Sequence, residues 1–304
     1  MNKKNTILVP VDFKVYSLKS VDYAKKLQKV FQDKIHLVHV IESQSWWSAN
    51  YSTYELKKTA SEKLEQFIGD QCLPENTEYT VLQGKPYVEI TKFAKEINSR
   101  YIVMANNYPL TTGAKMLGST LSHVIIKAEQ PVVSITDTED ILFKNMVVPL
   151  DLTESSRMQL YNSIAIALNY GTKIHLVSVL FEEQDLKSSR IIHKIEKYKK
   201  AYEENGIDYS VKLLVKEKTY AYKEILSYSE QQKADSILIM THNESASFNN
   251  YLGAFAQHII NEASMPVISI NKASAKYWES KLGAISIDPL GVYNSKLKDK
   301  LVIN

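Results

Sequence analysis

The octapeptide KIHLVHVI occupies residues 34–41, and KIHLVSVL occupies residues 173–180. Both are apolar and rich in β-branched residues, as strands covered on two faces should be, and such strands belong to parallel sheets. Their 139-residue separation recurs upstream, where ILVPVDF (7–13) is echoed by MVVPLDL (146–152) and Pro10 and Asp12 are matched by Pro149 and Asp151. Downstream the offset is 135: YIVMA (101–105) answers to SILIM (236–240), and PVVSI (131–135) to PVISI (266–270). Order and spacing are both kept, which identifies a tandem duplication of a unit near 135 residues.

Within the first unit, short Val- and Ile-rich runs alternate with longer stretches of helical pattern. The pattern predicts strands at 6–12, 34–41, 77–83, 100–105 and 131–136, and helices at 16–32, 53–70, 86–98 and 119–129. In the first helix Leu18, Val21, Ala24, Leu27 and Phe31 recur at three- and four-residue steps and form one apolar face. Five strands joined by four right-handed helical crossovers make a doubly wound α/β domain. Two such domains are expected, at 1–139 and 140–272, with an acidic link at 137–144. A C-terminal extension, 273–304, has no counterpart in the first unit. It carries Trp278, Ile285, Ile287, Leu290 and Val292, is too apolar for a disordered end, and is expected to lie against the second unit or to bridge the two. Each fifth strand begins at a proline, Pro131 or Pro266, which suits an edge lacking one donor. Edges as apolar as VVSI and VISI invite aggregation when open, so the two are expected to pair within the chain as an internal pseudo-dimer.

Composition narrows the function classes. With 304 residues, 44% hydrophobic and 23% charged, the chain reads as a soluble globular protein. Its net charge of +3 comes from 37 basic and 34 acidic side chains that alternate along helix faces, which gives no electrostatic case for nucleic acid or a membrane surface. No apolar run reaches the length of a membrane-spanning helix, and the N-terminal run meets Asp12 too soon for a signal-peptide core. Cys72 is the only cysteine, so an intramolecular disulfide is excluded and a reducing compartment fits. By elimination, a cytoplasmic location is expected.

Ligands of open α/β sheets bind beyond the carboxyl ends of the strands, where strand order reverses. Asp12 sits at that end of the first strand. The stretch from Asn106 to Leu117 follows the fourth strand and leads into Gly118-Ser119-Thr120, which opens a helix. Free N–H groups and the dipole at such a start favour a phosphate, while Ser119 also reads as an N-cap. TGAKMLGST is close to the phosphate-loop pattern G-x-x-x-x-G-K-[ST], but Ser119 stands where the lysine belongs, which argues against a P-loop NTPase.

Taken in order, ILVPVDF, IHLVHVIE, LQGKP and TGAKMLGSTLSHVIIKAEQPVVSI resemble a universal stress protein domain, and MVVPLDL, IHLVSVL and NNYLGAFAQHIINEASMPVISI repeat the resemblance. The resemblance covers all but the extension. It implies two tandem flavodoxin-like, or Rossmann-like, five-stranded parallel sheets of strand order 3-2-1-4-5, paired through their fifth strands. Some members of the family bind ATP, using G-x-x-G, nine residues, then G-[ST] after the fourth strand. Here that spacing puts Ala105 and Tyr108 at the first two glycines, and only Gly118 and Ser119 survive; in the second unit Met240 and Asn243 replace them before Gly253, and Ala254 replaces the hydroxyl residue. The resemblance therefore implies, in the first domain, an ATP site with magnesium at Val11, Asp12, Val40, Ala105, Gly118, Ser119 and Thr120. In the second it implies a degenerate site at Asp151, Val179 and Gly253. Asp12 would contact the base and the Val40 backbone would read its edge. Alternatively Asp12 is a strand-end aspartate that caps the next turn.

Other constellations fail. His36 and His39 leave opposite faces of one strand and cannot share a metal, and His242 has no second ligand nearby in sequence. G-x-S-x-G and H-E-x-x-H are absent, so hydrolase and zincin chemistry lack support. Cys72 has no electropositive neighbours in sequence and reads as inert. Trp46, Trp47, Tyr51 and Tyr54 either cover a helix face or form a partner surface. The expectation is a stress-response binding or signalling module, not an enzyme, with nucleotide binding degenerate or lost and with a homodimer left open. The alternatives are an ATP switch in domain 1, a nucleotide-cleaving enzyme using Lys115, and a scaffold that holds a partner.

Overall fold

The computed structural model describes residues 5–42, 52–106, 117–136, 143–150, 156–181, 190–216, 220–241 and 252–271. The extension, Trp46, Trp47, Tyr51, Tyr108, Gly113, Lys115, Asp151, Asn243 and His242 therefore lie outside the described residues. The first unit runs β1 (Thr6–Pro10), α1 (Val15–Phe31), β2 (Lys34–Ile41), α2 (Thr53–Asp70), β3 (Glu78–Gln83), α3 (Pro86–Glu96), β4 (Tyr101–Ala105), α4 (Ser119–Lys127) and β5 (Val132–Ile135). The second runs β6 (Asn145–Pro149), α5 (Ser156–Tyr170), β7 (Lys173–Phe181), α6 (Arg190–Glu204), β8 (Tyr209–Lys216), α7 (Ala221–Gln231), β9 (Ser236–Met240), α8 (Ala254–Glu262) and β10 (Val267–Ile270).

Local chemistry starts these elements where the sequence places it. Ser52 and Glu55 form a capping box at α2: the Glu55 N–H donates to Ser52 Oγ at 3.2 Å, and the Ser52 N–H donates to Glu55 Oε2 at 2.9 Å. Pro86 opens α3, where its missing N–H costs nothing. The apolar face of α1 buries Val21, Ala24 and Leu27 completely.

The strands form a single ten-stranded sheet in the order β3-β2-β1-β4-β5-β10-β9-β6-β7-β8. Each half has the expected 3-2-1-4-5 order, with parallel neighbours. The halves meet where β5 and β10 pair antiparallel, Val133 opposite Ile268. The two predicted sheets are thus one, and neither apolar fifth strand is an edge. β3 is the outer strand and is only half-buried, which explains its weaker apolar pattern.

Helices cover both faces, and each face holds one core that crosses the joint. One core gathers Leu27, Leu64, Ile164 and Tyr202 from α1, α2, α5 and α6; the other gathers Phe93, Ile125, Ile225 and Ile259 from α3, α4, α7 and α8. Each fully buried aliphatic contributes about 1.5–3 kcal/mol relative to exposure.

Polar bonds across the joint are reciprocal. Thr136, just past β5, donates its hydroxyl to the Ala263 carbonyl at 2.9 Å, at the end of α8. Asn271, just past β10, donates its amide to the carbonyls of Ile125 and Ala128 at 2.9 Å, at the end of α4. Each unit thereby caps a helix C-terminus of the other, satisfying carbonyls that the helix cannot. Asn106 Nδ2 also donates to Asn261 Oδ1 at 3.0 Å, and Arg100 Nη1 to the Tyr170 hydroxyl at 3.0 Å.

Asn271→Ala should lower unfolding free energy by about 1–3 kcal/mol in urea titrations, because buried α4 carbonyls lose their donor; an unchanged midpoint would count against these caps. A second expectation concerns the paired histidines. His36 lies 2.9 Å from Thr80 Oγ1, and His175, at the matched position, lies 2.7 Å from Ser210 Oγ. Burial holds both imidazoles below the usual histidine range. Their folded pKa lies below the unfolded value, so below about pH 6.5 the unfolded chain binds more protons and stability falls, by at most about 1.4 kcal/mol per pH unit for each ring. Urea midpoints measured from pH 7.5 to 5 should decline, and less steeply in His36→Gln; a flat profile would contradict this.

Candidate functional site

A cleft of about 470 Å³ opens beyond the carboxyl ends of β1, β2 and β4, a volume within the usual range for small-molecule sites. All seven first-unit positions lie on it: Val11, Asp12, Val40, Ala105, Gly118, Ser119 and Thr120. It is also lined by Lys14, Ser17, Ser20, His39, Glu42 and Met104, which sequence reasoning did not select.

The base of the cleft follows from how the β1 ladder ends. Val11 donates its N–H to the Val38 carbonyl at 2.9 Å, the last bond of β1 to β2. Backbone groups alternate sides along a strand, so those of Val40 face the same way as Val38, past the end of β1. Among the described residues no backbone partner meets them. The Val11 carbonyl instead meets His39 Nδ1 at 2.8 Å, and the His39 ring packs 4.6 Å from Phe13. Phe13 itself is left-handed, φ 60°, a strained setting for a bulky residue and one that concentrates at functional sites.

Asp12 is engaged as a turn cap. Its Oδ1 accepts from the Ser17 hydroxyl at 2.5 Å and from the Lys14 N–H at 3.1 Å, while its own N–H donates to Ser17 Oγ at 2.9 Å. Lys14 Nζ stands 3.6 Å from Oδ2, and the carboxylate is half exposed. The capping role is therefore real, and Asp12 also lines the cleft. Ser17 had a signal in sequence: a serine stands five residues after the aspartate in both units, Ser17 and Ser156.

The opposite wall is the start of α4. Gly118, not Ser119, is the N-cap, with φ −58° and ψ 138° and no side-chain capping bond. Ser119 as N-cap is thus corrected: it is the first helical residue, one position too late to reach back over the first turn. The first intrahelical bond runs from the Ser122 N–H to the Gly118 carbonyl at 3.0 Å. The N–H groups of Ser119, Thr120 and Leu121 precede it and point out of the helix start. This wall has the chemistry of an anion site.

The second unit departs at the same places. Gly253 caps α8 with nearly the same backbone angles, φ −56° and ψ 145°, but Ala254 and Phe255 replace the two hydroxyl residues, and Phe255 is 36% exposed. Leu150 repeats the Val11 bond, donating to the Val177 carbonyl at 2.8 Å, and Ser178 replaces His39, donating to the Leu150 carbonyl at 3.1 Å. Val179 lies in β7 opposite Leu214. Gln159, at the position matching Ser20, is buried and bridges two backbone carbonyls. Among the described residues no group of three or more His, Cys, Asp or Glu is placed to hold a metal, and no helix is long and apolar enough to cross a membrane.

The sequence profile of the universal stress protein family matches the chain twice, over residues 4–135 and 142–271. The chain belongs to the universal stress protein family. A universal stress protein from Archaeoglobus fulgidus DSM 4304, known from its crystal structure, superimposes with a TM-score of 0.71 at 20% identity, covering 88% of this chain and 99% of that one. The crystal structure of a functionally unknown protein from Pseudomonas aeruginosa PAO1 superimposes with a TM-score of 0.59 at 14% identity, covering 92% and 96% of the two chains. At such identities the likeness is one of fold. No curated protein has significant similarity to this sequence.

Proposed function

We propose that this tandem universal stress protein is a binding and signalling module of the stress response, not an enzyme, and that the first unit's crevice is where it senses a small ligand. The observation that carries this reading is the meeting, on one cleft, of seven positions drawn from β1, β2, β4 and the start of α4. We place the module in the cytoplasm, with nucleotide binding degenerate in the second unit, where Ala254 and Phe255 replace Ser119 and Thr120.

A second reading, an adenine-nucleotide switch in the first unit, is favoured by the same geometry. The Val40 backbone offers a donor and an acceptor beyond the end of β1, as an adenine edge requires. The half-exposed Asp12 carboxylate lines the cleft, and the uncapped start of α4 suits phosphate oxygens. These residues fit a nucleotide. Bound there, it would supply a phosphate charge whose presence the module reports; magnesium, if carried, would come with the phosphates. The Ala105 methyl narrows the approach where the ATP-binding pattern has glycine.

Calorimetric titration with ATP and magnesium should show one binding event per chain for the nucleotide reading. Asp12→Ala should weaken it at least tenfold, because a hydrogen bond to a charged group is worth about 1.5–3 kcal/mol. No heat with the wild type would end that reading. Phosphate release under saturating ATP should stay at background, and turnover above it would overturn the non-enzymatic module.

A further inference from the structure

In both units a proline interrupts the sheet at its switch point, and the two units place different side chains beside the break. In each unit the first and fourth strands run parallel until Leu8 meets Ile102, or Val147 meets Ile237. One more ladder step would take the N–H of Pro10 to the Val103 carbonyl, or that of Pro149 to the Leu238 carbonyl. Proline has no N–H, so the ladder stops there and leaves backbone groups without strand partners.

The two units place different side chains beside that break. In the first, Ser20 Oγ accepts the Ala105 N–H at 2.7 Å and stays short, so the space beside Pro10 and Met104 remains part of the cleft. In the second, the matching residue is Gln159, 3% exposed. Its Nε2 donates to the Pro149 carbonyl and to the Leu238 carbonyl, each at 2.8 Å. The carboxamide thus satisfies both acceptors at the strand split, and its longer side chain stands at the position where the first unit has Ser20.

We propose that Gln159 is a built-in stopper of the second crevice and Ser20 the residue that keeps the first one open, so that the chain takes one ligand, in its first unit. This deepens the reading of the cleft as the sensing site and rests on it for the ligand, though the stopper itself does not depend on which ligand is bound.

The test pairs a ligand-free measurement with a titration, on the full chain. In wild-type protein the side-chain amide protons of Gln159, assigned by their loss in Gln159→Ser, should exchange with solvent at least a hundredfold more slowly than those of exposed glutamines. In Ser20→Gln a second protected carboxamide should appear, and ATP affinity should fall at least tenfold, while Gln159→Ser leaves it unchanged. Fast exchange of the Gln159 amide, or an unprotected Gln in Ser20→Gln, would overturn the proposal, as would undiminished ATP binding by Ser20→Gln. If wild-type protein takes up no ATP, the nucleotide reading alone fails, and the two exchange measurements still decide the stopper.

Discussion

Two apolar strand edges that cannot be left open organise this molecule. β5 and β10 are buried along their whole length, each begins after a proline, and each pairs along its outer edge with the other. Because the pairing is antiparallel while neighbours within each unit are parallel, the carboxyl ends of the two sets of strands point in opposite directions. The two crevices therefore lie at opposite ends of one sheet. The same local symmetry lets Thr136 and Asn271 reach across and cap α8 and α4. Edge pairing, shared cores and reciprocal caps are consequences of one joint.

The second recurring constraint is the proline that ends the first strand of each unit. It stops the ladder at the switch point, where an α/β sheet makes its binding crevice. In the second copy Gln159 donates to the freed Leu238 carbonyl, whereas in the first Ser20 accepts the Ala105 N–H. One copy places a short hydroxyl there and keeps a cleft; the other places a long carboxamide there. Divergence after duplication is thus visible as a choice of hydrogen-bond partner, with the fold unchanged.

Much of the fold was legible because it rests on signals that repeat. KIHLVHVI and its copy marked the buried strands, and Pro131 and Pro266 marked the edges that join. Asp12 was legible as a strand-end residue, and the structure gives it the turn-capping role directly. The exchange of Ser20 for Gln159 was not legible, since each looks like an ordinary polar residue on a helix and acquires meaning only beside carbonyls from distant strands. Thr136 and Asn271 were missed for a similar reason: their partners lie in the other unit, more than a hundred residues away. The N-cap of α4 was displaced by one residue because serine is the stronger capping signal, whereas the backbone turns at Gly118.

Backbone hydrogen exchange over residues 132–135 and 267–270 tests the joint most directly. If these strands seal one another within the chain, their bonded amides should be as protected as those of β1 and β6, the innermost strands of each unit. Exchange as fast as at the outer strands β3 and β8 would mean that the fifth strands are open edges, and the single ten-stranded sheet would be wrong.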